Sequence, residues 1–171
     1  MPSNVKLRLV PKRATSLKQV LALKDPPAGG LAWHALIESG LPTMSLYTVA
    51  KAIGVTDKYL ANFLEVNLKG LQDRETLGRI ESDLLFAVAR AYTRAATRLG
   101  TEPAGVWLVT PQMALGERAP IDALRTRMGT EYVSGLINQL GQRPLSARGE
   151  LGNQAASGPS VADANASMPG A

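Results

Sequence analysis

Residues 46–64, LYTVAKAIGVTDKYLANFL, decide how the rest of the chain is read. Leu46, Val49, Ala50 and Ile53 recur at i, i+3, i+4 and i+7, which places them on one face of a helix. Gly54 ends that helix, because glycine takes the left-handed backbone of a helix C-terminus without steric cost. Thr56 is positioned to cap a second helix whose Leu60, Phe63 and Leu64 face inward. The small Ala50 permits a close crossing and Val55 fills the elbow, so the spacing is that of a helix-turn-helix. It also suits an αα-hairpin that never touches nucleic acid. Asp57, Lys58, Tyr59, Asn62 and Glu65 are left facing out on the second helix. The candidate DNA contacts are Thr56, Lys58, Tyr59 and Asn62, which can meet phosphate or base edges, whereas Asp57 and Glu65 repel phosphate.

Working outward, the composition supports an all-α reading. The hydrophobic fraction is 45% but aromatics are only 5%, so the core is aliphatic and favours helix over sheet. At 171 residues the chain makes one domain or two small ones. There is no cysteine, hence no disulfide and no thiolate metal site, which is compatible with a reducing cytoplasm. No stretch approaches the roughly 20 apolar residues of a membrane span. The opening MPSNVKLRLVPKR lacks the apolar core of a secretory signal. The expectation is a soluble, cytoplasmic protein with no membrane contact.

The net charge of +5 is localised. Residues 1–30 hold Lys6, Arg8, Lys12, Arg13, Lys18 and Lys24 against Asp25 alone, so the remainder of the chain is neutral. This stretch closes with Pro26-Pro27-Ala28-Gly29-Gly30 and reads as a basic arm and linker, with a short helix within 16–23. Beside a helix-turn-helix, Lys6, Arg8, Lys12 and Arg13 can follow phosphates or a minor groove; the alternative is a solvated leader.

Residues 31–100 read as the helix-turn-helix domain. LAWHALIESG at 31–40 predicts a helix stopped by Gly40, and Asn67-Leu68-Lys69-Gly70 a loop. From Arg74 to Leu99 a long scaffold helix is expected, with Leu77, Ile80, Leu84, Val88, Ala91, Tyr92, Ala95 and Leu99 inward and Arg90, Arg94 and Arg98 in one basic stripe. Beyond Gly100 the texture changes to short helices between proline and glycine corners, a small helical module over 101–141. One helix runs through Val106-Trp107-Leu108 and breaks at Thr110-Pro111-Gln112; Leu115-Gly116 turns; Pro120 opens a helix to Met128; Thr130 caps the last one. Residues 142–171, rich in alanine, glycine, serine and proline, predict a disordered tail.

From about Ala35 to Gly141 the chain resembles the Xre/MbcA/ParS-type antitoxins of bacterial toxin–antitoxin pairs. The resemblance rests on ESGLP at 38–42, AKAIGVTDKYLANFL at 50–64, IESDLLFAVARAY at 80–92 and WLVTPQMALGERAPIDAL at 107–124. Trp107, Leu108, Pro111, Ala114, Leu115, Gly116, Pro120 and Leu124 match the WL…P…ALGG…P…LL pattern of that family's C-terminal module. Glu117 replaces the second glycine, and the second hairpin helix has Lys58, Ala61 and Asn62 where the family usually carries arginines. The resemblance implies a homodimer that binds and occludes a NAD-consuming RES-domain toxin through Trp107, Leu108, Pro111, Leu115, Gly116, Pro120 and Leu124. It also implies repression of the operon's own promoter. The other reading of the same residues is a stand-alone helix-turn-helix regulator without a toxin partner.

Catalysis has no basis in the residues. His34 is the single histidine, with no second ligand for a metal and no nucleophile beside it. No phosphate-binding glycine loop or H-E-x-x-H is present, so no catalytic residue, metal or cofactor is expected.

Overall fold

The computed structural model describes residues 16–140, and their fold is all-α. In chain order the helices are α1 Leu17–Val20, α2 Gly30–Ser39, α3 Met44–Ile53, α4 Asp57–Phe63, α5 Leu68–Leu71, α6 Arg79–Leu99, α7 Thr101–Val109, α8 Pro120–Ala123 and α9 Arg127–Gln139. A 3-10 turn, Met113–Leu115, lies between α7 and α8. The basic residues Lys6, Arg8, Lys12 and Arg13 and the tail expected at 142–171 lie outside the described residues. No helix among the described residues is long and apolar enough to cross a membrane.

The 21-residue α6 is the axis, with α1, α2, α3, α7 and α9 packed around it. Being covered on several sides, it buries Leu85, Val88, Ala89, Tyr92, Ala95 and Ala96 rather than one narrow stripe. The expected inward set is corrected at three points: Ile80 is 74% exposed, and Leu84 and Leu99 are only half-buried. The helix also starts at Arg79 rather than Arg74. Residues 75–77 are drawn instead into pairing with 41–43: Leu77 N–H donates to Leu41 O (2.8 Å) and Thr43 N–H to Glu75 O (2.9 Å). The Glu81 carboxylate then closes the helix start, accepting from Gly78 N–H at 2.5 Å and from Arg74 at 2.9 Å.

One apolar core runs without interruption from Val20 to Ile137, so the stretches read as separate units share it. The stretch read as arm and linker enters that core early, since Val20, Leu21 and Leu23 are buried. Each such side chain contributes about 1.5–3 kcal/mol on burial. Two α3 hydroxyls fasten this segment: Ser45 donates to Leu21 O (2.7 Å) and Thr48 to Val20 O (2.8 Å). Buried Ser82 of α6 accepts from Leu41 N–H at 2.9 Å. Buried polar groups need such partners, because an unmade hydrogen bond costs about 1–3 kcal/mol.

Two further boundaries differ from expectation. Residues 67–70, read as a loop, begin α5, with Asn67 Oδ1 accepting from Lys69 N–H at 3.0 Å. The helix expected from Pro120 to Met128 stops after Ala123, and α9 is capped by Thr126, whose hydroxyl accepts from Gly129 N–H at 3.1 Å, rather than by Thr130.

Candidate functional site

The hairpin α3–α4 is two short helices joined by a tight turn. Gly54 takes φ +85°, ψ +29°, a left-handed conformation that turns the chain, and Val55 N–H returns to Ala50 O at 3.0 Å. Thr56 caps α4, its hydroxyl accepting from Tyr59 N–H at 3.1 Å. Leu60, Ala61, Phe63 and Leu64 go into the core. Of the expected DNA contacts, Thr56, Lys58 and Asn62 are exposed, Thr56 as the cap before α4 and Lys58 and Asn62 one turn apart on it. Tyr59 is 40% exposed, and its phenol is held above its ordinary pKa by burial first and then by the Asp122 carboxylate.

Asp122 belongs to α8, which places the C-terminal segment against α4. Arg125, just beyond α8, completes this contact. It donates to Glu65 Oε1 at 2.9 Å, and its guanidinium carbon lies 4.6 Å from the Phe63 ring centroid. The outer side of α4 is therefore open at its N-terminal end and held at its C-terminal end. Among the described residues Lys58 is the one cation that α4 itself supplies; Asp57 and Asp122 set negative charge beside it, and Arg125 offsets Glu65. Such a face attracts phosphate weakly.

The module that follows is anchored through α7. A side chain at Gly105 would strike the Ile53 backbone at the end of α3, so glycine is what lets the two helices meet. Ala104 and Leu108 are fully buried beside it. The connection from Thr110 to Ala119 is then held by its own backbone. Gln112 N–H donates to Arg118 O (3.0 Å), Glu117 N–H to Gln112 O (3.1 Å), and Gly116 N–H to Met113 O (3.0 Å). Thr110 Oγ1 ties its start to Val106 O at 2.7 Å. Gly116 and Glu117 both take φ +62°, so the residue that replaces the second glycine of the pattern sits in the conformation a glycine favours.

The expected partner contacts divide by position. Leu108, Pro120 and Leu124 are buried, Trp107 and Leu115 are half-buried, and Pro111 and Gly116 are at the surface. Two residues not singled out from the sequence join the surface group: Met113 is 86% exposed and Val106 60%. The WL-to-L segment is thus a scaffold with an apolar outer rim, in which Leu108, Pro120 and Leu124 position what Val106, Pro111 and Met113 present. Met113 was discoverable as an apolar residue between two helix breakers, and Gly105 as a lone glycine inside a helical pattern. Arg125 carried no such signal. His34 stands on the surface of α2, 3.6 Å from Glu38.

The chain matches no protein-family model, and no curated protein is significantly similar to it.

Proposed function

We propose that the protein is an antitoxin of the Xre/MbcA/ParS type, which neutralises a NAD-consuming RES-domain toxin by covering its active site and represses its own promoter as a homodimer in the cytoplasm. The observation that carries this reading is the hydrogen-bonded segment 110–119 with Val106, Pro111 and Met113 turned to solvent. A folded chain gains by burying such side chains, so a rigid rim that exposes them fits a surface awaiting a protein. Its preformed backbone means little ordering entropy is lost when a partner docks. The match of residues 107–124 to the antitoxin pattern supports the toxin as that partner. Neutralisation is steric and requires no catalytic residue, metal or cofactor from this chain.

Co-expression of the tagged chain with the product of its neighbouring gene tests the reading. Co-purification with restored growth and restored cellular NAD is expected. No complex, with sequence-specific DNA binding retained, replaces this reading with the stand-alone regulator. The DNA role rests on the hairpin and on the basic residues before Ser16. Deleting residues 1–15 should lower the salt-dependence slope of promoter binding by roughly 3–4, about one per lost cation. An unchanged slope would reduce the arm to a leader. The deletion stops at residue 15 because Val20, Leu21 and Leu23 belong to the core.

A further inference from the structure

A groove of about 800 Å³ runs between α6 and α9, away from the 110–119 segment. Its rim carries Arg90, Arg94, Arg125 and Arg127 against Asp83 and Glu131, so it is basic although the chain beyond residue 30 is neutral. Its floor includes Ala87, Ala91 and Leu124, apolar and mostly small. Three of the arginines have partners: Arg94 donates to Asn138 at 2.9 Å, Arg125 pairs with Glu65, and Arg127 with Glu131 at 3.2 Å. Arg90 makes no hydrogen bond or ion pair among the described residues. It stands one helical turn from Arg94, an arrangement of like charges that is unfavourable until an anion bridges them.

We propose that this groove is a docking site for a short acidic segment of a protein partner, which sets an apolar side chain on the Ala87–Ala91–Leu124 floor and carboxylates on Arg90 and Arg94. Charge complementarity selects the sign of the occupant. The apolar floor selects a peptide over duplex DNA, whose backbone is bound through donors to its phosphates and leaves such a floor unused. Length agrees as well. From Asp83 to Arg94 the helix rises roughly 16 Å, the span of about five extended residues. Arginine suits the task because its planar fork meets a carboxylate with two hydrogen bonds. This surface stands independently of the proposed toxin contact.

Selection from a random twelve-residue displayed-peptide library against the full-length chain tests the proposal. Enriched peptides should combine aspartate or glutamate with at least one large apolar residue. Synthetic copies should bind the Arg90→Glu/Arg94→Glu variant at least about tenfold more weakly. The milder Arg90→Gln/Arg94→Gln variant, with an unchanged circular dichroism spectrum, should show a loss in the same direction. Amide shifts on titration should map to α6 and α9. No enrichment over the charge-reversed variant, enriched peptides without acidic residues, or a double-stranded oligonucleotide as the ligand that depends on these arginines would each overturn it.

Discussion

The hairpin α3–α4 and the segment 110–119 treat their apolar residues in opposite ways. The hairpin sends Leu60, Phe63 and Leu64 into the core and shows solvent a thin polar face on α4, with Lys58 beside Asp57 and the Arg125–Glu65 pair. Segment 110–119 spends its hydrogen bonds on its own backbone and leaves Met113, and Val106 behind it, in solvent. Burial explains the first arrangement fully, since the hairpin is what the core requires. It does not account for the second: single exposed apolar side chains such as Leu31, Ile80 and Met128 occur elsewhere, but at Val106 and Met113 they flank a segment held by its own backbone hydrogen bonds. That combination carries the proposed partner contact, and the proposed nucleic-acid role leans on the basic residues before Ser16.

Substitutions can separate the two regions. The largest effect is expected from Val106→Glu with Met113→Glu, which leaves the core intact and places two charges in the proposed toxin interface. Two losses of about 2 kcal/mol each lower toxin affinity roughly a thousandfold, with promoter binding and thermal unfolding unchanged. Leu108→Ala acts on the other side of the same helix. It empties a fully buried site and should cost about 3 kcal/mol of stability by denaturant titration, with toxin binding falling only as the folded fraction falls. Thr56→Ala removes the α4 cap and should cost about 1 kcal/mol, weakening promoter binding while sparing the toxin. The smallest effect is Glu117→Gly. It relieves the positive φ but adds freedom to the unfolded chain, for a net gain of about 0.5 kcal/mol in stability and no change in either binding activity. A toxin-affinity loss from Thr56→Ala as large as that from the double glutamate variant would erase the distinction between the regions.

What could be read from the sequence follows how local the deciding forces are. Gly54 and Thr56 act within a few residues, and the hairpin forms where their spacing places it. Gly100 separating α6 from α7, the break after Val109, and Pro120 in the first turn of α8 are local in the same sense. The start of α6 was not legible, because its competitor is a pairing of residues 75–77 with residues more than thirty positions earlier. The facing of Ile80 and Leu85 was not legible either, because a helix packed on several sides has no single apolar stripe. Thr126 and Thr130 are both good caps, and only the collision that a Cβ at Gly129 would make with Ala123 O shows how tightly the chain folds back there. In the candidate site, the pattern WL…P…ALG…P…L marks a segment without telling inside from outside. Leu108 and Leu124 turned inward, and Met113, which the pattern ignores, turned out.

The central claim is that the exposed rim blocks the toxin where the dinucleotide would enter. The direct test is the affinity of a catalytically inert RES-domain toxin for NAD, measured by calorimetry with and without a saturating amount of this chain. Occlusion predicts that NAD binding disappears in the complex and returns when the Val106→Glu/Met113→Glu variant is used instead. NAD bound by the intact complex with unchanged affinity would contradict it.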